Sequence, residues 1–292
     1  MSSLVSTTNH LKDHYLPLVK GRQTFLLTLT GTTGYLCLLP SPLDWSRFSS
    51  LVGSLLLTIS GCSVLNMLFD RDIDRQMRRT SQRPLAVGQA NSHTAAFLGA
   101  ILITLGLLWS ATLSILYFAV VLVGAALNVL VYTLWLKRRT AWSILWGGVA
   151  GSMPILAGRA LAIGHIDALG LLLGFIILCW IPSHNLTLTT LYSTDYLNAG
   201  VPTFLSVYGL AVTRVVVILS TLVTVLLITA TFVWLNSPIL VLVLLVAISI
   251  GLAGIALCVW LKPSQKLITV LYKYSSLYML ISMLLLALNY LQ

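Results

Sequence analysis

Apolar residues in this chain run in long blocks, with polar positions gathered between them rather than alternating at the period of a half-buried strand. Nine blocks cover about residues 24–40, 50–69, 95–113, 116–136, 143–163, 167–191, 214–235, 238–261 and 270–290. The hydrocarbon core of a bilayer takes about 20 apolar residues per helix, and an unpaired backbone is not tolerated there. The pattern therefore predicts an all-α, polytopic membrane bundle of nine transmembrane helices. We expect one integral-membrane domain over 1–292, with residues 1–22 as a cytoplasmic N-terminal segment. That segment has no apolar stretch of its own, so a cleaved signal peptide is not expected.

Polar residues set the orientation. Of 17 Lys and Arg, fifteen fall in the N-terminal segment or in the loops after the second, fourth, sixth and eighth blocks; only Arg47 and Arg159 lie on the other side. The positive-inside rule then puts the N-terminus in the cytoplasm and the C-terminus outside. With 58% hydrophobic and 8% charged residues, a soluble enzyme is excluded. The net charge of +10 is assigned to an anionic membrane surface and not to nucleic acid. Cys37, Cys62, Cys179 and Cys258 stand far apart inside apolar blocks and read as small hydrophobes. Asp70 and Asp195 share their spacing with Trp135-Leu136-Lys137 and Trp260-Leu261-Lys262, as an ancient duplication or chance would give.

The candidate chemistry lies at the end of the second block. Asn66, Asp70 and Asp74 are spaced i, i+4, i+8 and share one helical face; Asp72 points elsewhere. Oxygen ligands in such a stripe suit Mg²⁺ shared with phosphate oxygens. The same aspartates also suit a solvated helix end paired with Arg71, Arg75 and Arg78. The following run, Arg78-Arg79-Thr80-Ser81-Gln82-Arg83-Pro84-Leu85, adds cations fit for a diphosphate, although the positive-inside rule alone would populate this loop too.

Taken together, Asn66-x-x-x-Asp70-Arg71-Asp72-Ile73-Asp74-x-x-Met77-x-Arg79-Thr80-x-x-Arg83-Pro84-Leu85 resembles the first aspartate motif of the UbiA superfamily of intramembrane prenyltransferases. Lys20-Gly21-Arg22 resembles the basic motif before that family's first helix. Tyr132-Thr133-x-x-x-Lys137-Arg138-Arg139-Thr140, Gly147-Gly148-x-Ala150-Gly151-x-x-Pro154, Trp180-x-Pro182-x-His184 and Tyr192-x-x-Asp195-Tyr196 are similar to its protoheme farnesyltransferase (haem O synthase) branch. The chain departs from that branch at Gly21, Ser143, Ile155, Arg159 and Asn185; Arg159 and Asn185 bear on the acceptor pocket.

The resemblance implies transfer of a farnesyl group from farnesyl diphosphate to a vinyl group of haem B, making haem O. Asn66, Asp70, Asp74 and Asp195 would hold Mg²⁺. Lys20, Arg22, Arg79, Arg83 and Lys137 would take the diphosphate charge, and Tyr192, Trp180 and His184 would line the substrate site. His184 is either an axial haem ligand or a hydrogen-bonding group within the bundle. Arg159 either snorkels to the interface or meets a propionate or headgroup. Most tryptophans form an interface belt. Alternative acceptors are an aromatic quinone precursor or a lipid alcohol, and a membrane transporter is the non-enzyme alternative. Candidate partners are membrane lipid and proteins of the haem A pathway or of terminal-oxidase assembly. The expected location is a prokaryotic plasma membrane.

Overall fold

A computed structural model describes residues 14–39 and 42–288. Lys12 and the rest of 1–13 therefore lie outside the described residues. Every regular element among those residues is helical. The long helices are α1 (Gly21–Leu36), α2 (Trp45–Phe69), α5 (Ser92–Leu113), α6 (Ile115–Ala126), α7 (Ser143–Ile163), α8 (Ala168–Leu191), α10 (Phe204–Trp234), α11 (Ile239–Leu261) and α12 (Gln265–Ala287). The short ones are α3 (Arg71–Gln76), α4 (Pro84–Val87) and α9 (Ser193–Asn198). Among the described residues eight helices, counting α6 together with its continuation to Leu136, are long and apolar enough to cross a membrane. The first predicted block folds as α1, whose 16 residues span about 24 Å, short of the roughly 30 Å of a bilayer core.

α1 is nonetheless part of the bundle, and its glycines show why. A Cβ on Gly34 would lie 2.1 Å from the Ile155 carbonyl oxygen, and one on Gly158 would lie 1.9 Å from the Gly31 carbonyl oxygen. The α1 and α7 backbones therefore touch, as small residues permit between membrane helices. Burial then follows position. α8, α10, α11 and α12 supply most of the largest core cluster, around Leu173, Ile176, Phe232 and Met283, whereas α5 and the outer face of α11 turn many large apolar side chains outward. Cys37 and Cys62 are buried and Cys179 half-buried, as small hydrophobes; Cys258 faces outward on α11.

Helix starts carry the expected caps. Asp44 accepts from the Ser46 and Arg47 amides, Asn91 from His93 and Thr94, and Asp167 from Gly170. Each such cap is worth about 1 kcal/mol. With the two short helices α3 and α4 taken together, the element order long–long–short–long–long occurs twice, once from α1 to α6 and again from α7 to α11, before α12 closes the bundle. This supports the duplication but corrects its register. α3 begins one residue after Asp70, whereas α9 begins two residues before Asp195.

Three local features depart from expectation. The predicted span 116–136 continues beyond Ala126 as a π-helix, Leu127–Leu136, in which each amide reaches back five residues. The predicted span 214–235 starts earlier, at Phe204, because Thr203 and Ser206 form a capping box and the helix bends through Gly209 (φ 77°) without ending. Arg214 thus lies within α10, half-buried, and donates to the Trp260 carbonyl at 3.0 Å. Arg159 neither snorkels nor stays free. It is 7% exposed, donates to Asp167 (2.8 and 3.1 Å) and to the carbonyls of Cys37 (2.6 Å) and Leu38 (3.1 Å), and so locks α7 and α8 to the end of α1.

Candidate active site

α2 ends at Asp70, whose backbone (φ −92°, ψ 0°) leaves the α region before α3 begins. Helical hydrogen bonds nonetheless bridge the junction: the Asp70 amide donates to the Asn66 carbonyl (3.0 Å) and the Asp74 amide to the Asp70 carbonyl (2.8 Å). Asp70 and Asp74 are consequently both buried, at 1% and 4% exposure. Asp72 turns outward, and Arg138 binds both of its oxygens (2.6 and 2.7 Å), holding its carboxyl below the usual range.

Around the buried pair the charges interlock. Lys137 Nζ donates to Asp70 Oδ2, which also accepts from Asn66 Nδ2 at 3.0 Å. Asn66 Nδ2 donates further to Thr133 Oγ1 (3.1 Å), and Lys20 Nζ donates to Asn66 Oδ1. Arg83 Nη1 grips both oxygens of Asp74 at 2.9 and 2.8 Å. The π-helix positions two of these groups: its i→i−5 pattern includes the bond from the Lys137 amide to the Tyr132 carbonyl (2.9 Å), and it carries Thr133 beside Asn66. Lys20 adopts a left-handed conformation (φ 48°, ψ 56°), which costs about 1 kcal/mol in a residue other than glycine. Burial, with Arg83 and Lys137 close by, pushes its ammonium down to about 7 against the pull of Asp70 and Asp74. Burial acts the same way on Lys137, but Tyr132 and Asp70 outweigh it and its pKa is raised.

The second acid arrives from the other half. Asp195, 7% exposed, accepts from the Arg79 amide at 3.2 Å, and the Arg79 guanidinium lies 5.3 Å from the Tyr192 ring centroid. Ile73, Met77 and Val201 pack under this junction, so α3 and α9 form one rim. Asp70, Asp74 and Asp195 do not converge into a cage, however. Among the described residues no three His, Cys, Asp or Glu groups are placed to hold a metal. Each acid is drawn to its own donor: Asp70 to Lys137, Asp74 to Arg83 and Asp195 to the Arg79 amide. Arg22 is exposed and makes no hydrogen bond or ion pair among the described residues, and Trp180 and His184 direct their polar contacts to α12 and not to this rim.

The donor chemistry still fits a hard cation. Asp70 Oδ1 is buried and has no hydrogen-bond partner, a costly arrangement for a carboxylate oxygen unless something else is to bind it. Mg²⁺ takes one or two carboxylates plus phosphate oxygens, so a protein cage is not required. The three cations Lys20, Lys137 and Arg83 exceed the two acids they surround, which leaves positive charge for an anion. Further along the Asn66 face of α2, Leu55, Thr58, Ile59 and Cys62 line an apolar groove, with Leu27 of α1 and Pro154 of α7 on its other walls. Tyr132 and Lys137 also line a second, more polar pocket of about 540 Å³ with Asn185, Thr189 and Thr203. Thr133 was not singled out from sequence as a site residue; its place four residues before Lys137 in a helical block is the signal that could have found it.

The model of the UbiA prenyltransferase family matches residues 26–288. Protoheme IX farnesyltransferase of Korarchaeum cryptofilum is 38% identical over 205 residues, 70% of this chain and 69% of that protein. Its counterpart in Pyrobaculum arsenaticum is 40% identical over 199 residues, 67% of this chain and 70% of that protein. Among solved structures, one of digeranylgeranylglyceryl phosphate synthase superposes with a TM-score of 0.78 at 19% identity, covering 97% of this chain and 99% of that one. A UbiA homologue from Archaeoglobus fulgidus bound to DMAPP and Mg²⁺ does so with a TM-score of 0.70 at 16% identity, covering 93% and 98%. The chain belongs to the UbiA prenyltransferase family and is a multi-pass membrane prenyltransferase of the haem O synthase-like kind.

Proposed function

We propose that this enzyme moves the farnesyl group of farnesyl diphosphate onto a vinyl carbon of haem B, with Mg²⁺, to form haem O in a prokaryotic plasma membrane. In this reading the acid rim faces the cytoplasm, with the N-terminus inside and the C-terminus outside, as the basic residues imply. The names of the curated relatives support the donor and acceptor, and the metal is supported by the Archaeoglobus homologue with its prenyl diphosphate and Mg²⁺. The single observation that carries the reading is Asp70 Oδ1, buried and unpartnered beside three cations.

Asp70 and Asp74 hold the metal, with Asn66 orienting Asp70 and Asp195 closing the rim from the other half. Mg²⁺, when bound, neutralises diphosphate charge and makes it a better leaving group. Lys20, Arg83 and Lys137 bind the remaining anionic oxygens, and Arg79 and Arg22 extend that field at the rim. Placing these charges before the reaction lowers the barrier to breaking the C1–O bond, because negative charge grows on the leaving oxygen. The prenyl tail lies in the apolar groove along α2, whose walls from Leu55 to Cys62 keep water from the allylic cation. The vinyl group then attacks C1, and water adds to the resulting benzylic-type cation to give the hydroxyethylfarnesyl side chain.

Incubating detergent-solubilised protein with farnesyl diphosphate, Mg²⁺ and haem B, followed by mass spectrometry, tests the reading. Farnesylated haem is expected. Diphosphate release only with an aromatic quinone precursor or a lipid alcohol would replace the acceptor, and no release with any acceptor would remove the proposed reaction.

A further inference from the structure

His184 lies on α8, away from the acid rim, in a setting that no step above uses. Its ring is stacked on both faces: Trp180, one turn earlier, is 4.6 Å away at an interplanar angle of 20°, and Tyr272 of α12 is 4.7 Å away at 24°. Trp180 is itself fixed, since its Nε1 donates to Ser275 Oγ (2.8 Å) and to the Ser275 carbonyl (3.1 Å). With both faces covered, only the ring edge can meet a ligand. Nδ1 at that edge is 3.2 Å from Ser276 Oγ.

The serine decides the tautomer. Ser276 Oγ donates its one proton to the Tyr272 carbonyl, four residues back, at 3.0 Å. With that proton given to the carbonyl, Oγ accepts from the histidine, an arrangement that puts the imidazole proton on Nδ1 and the lone pair on Nε2. Nε2 is directed away from Ser276 by the ring's own geometry and makes no hydrogen bond among the described residues, although His184 is half-buried. A metal-ligating histidine is built this way, with the remote nitrogen hydrogen-bonded and the ring plane held. Mg²⁺ prefers oxygen donors, whereas haem iron takes imidazole.

We infer that His184 Nε2 is an axial ligand to the iron of the acceptor haem, with Trp180, Tyr272 and Ser276 as residues that position it. This rests on haem B being the acceptor. Iron ligation would then anchor the porphyrin at its centre while a peripheral vinyl group meets the prenyl donor.

The test is binding, not turnover. Haem B and metal-free protoporphyrin IX are titrated into solubilised wild type, His184→Phe and Ser276→Ala, with Soret and ferric EPR spectra recorded. His184→Phe keeps an aromatic ring between Trp180 and Tyr272, and retained farnesyl diphosphate binding reports that the variant is folded. Wild type is expected to show an imidazole-ligated spectrum and to bind haem at least about tenfold more tightly than the metal-free ring. His184→Phe should lose the spectrum and the preference while still binding protoporphyrin IX. Ser276→Ala should weaken haem binding about tenfold and leave protoporphyrin IX unaffected. An unchanged imidazole spectrum in folded His184→Phe overturns the ligand assignment and leaves the acceptor intact. Failure of wild type to bind haem B at all overturns both.

Discussion

Two buried ion-pair clusters sit at opposite ends of the bundle, and they are finished differently. At one end, Arg159 spends its donors on Asp167 and on two carbonyls at the end of α1, so it is closed upon itself. At the other, Lys20, Lys137 and Arg83 surround Asp70 and Asp74, yet Asp70 Oδ1 has no partner and Lys20 is pushed down to about 7. The first cluster ties helices together. The second keeps an unmet acceptor and surplus positive charge, which is how a site differs from a clasp of similar composition.

The sharpest way to break this comparison is to remove one acid from each end. Asp70→Ala should act chiefly on turnover, cutting kcat per folded enzyme by about 10³-fold, the scale expected when a group stabilising transition-state charge is lost, beyond whatever stability goes with its buried Lys137 pair. Turnover within tenfold of wild type would refute a role for Asp70 at the reacting centre. Arg159→Leu should do the reverse. It leaves Asp167 and the α1 carbonyls without their partner, costing about 3 kcal/mol of stability, while kcat per folded enzyme stays within about twofold. Thermal denaturation in detergent and specific activity, measured on the same samples, separate the two outcomes.

A finer test stays within one helix. Asp74 is buried under Arg83, and Asp72 is exposed under Arg138. Asp74→Asn should lower kcat/KM by about 10²-fold, whereas Asp72→Asn should lie within about threefold of wild type because an exposed pair contributes little. Equal losses in rates measured side by side would mean that burial does not mark the working acid.

Much of this is legible in the amino-acid sequence. Eight of the nine blocks became helices able to span a membrane, because a block of about 20 apolar residues has few other stable forms. The i, i+4, i+8 rule correctly separated the positions of Asp70 and Asp74 from that of Asp72 even though the helix breaks at Asp70, since the hydrogen bonds bridge the break. The π-helix was not legible. Leu127–Leu136 has an ordinary helical composition, and nothing in its residue types marks the wider turn. The extra residues of α10 are hidden by Gly209, since glycine commonly ends a helix but here only bends one. Arg159 was misread because its partners, Asp167 and the Cys37 and Leu38 carbonyls, come from separate elements that only the fold brings together.

The smallest predicted effect tests the closed cluster by titration. Asp167 is partly exposed, and burial alone would raise its pKa; hydrogen bonds from Arg159 and the Gly170 amide outweigh that and hold it below its usual 3.8. A carboxyl with a lower pKa when folded binds protons more tightly when unfolded, so its contribution is present above about 4 and fades as pH falls through the folded value. Solvent screening limits the effect to less than about 1 kcal/mol. The melting temperature of wild type should therefore exceed that of Asp167→Asn at pH 6 and approach it as the pH falls below 4. Parallel melting curves for wild type and Asp167→Asn across that whole range would mean that Arg159 is held by the α1 carbonyls alone and that the carboxylate is incidental to the clasp.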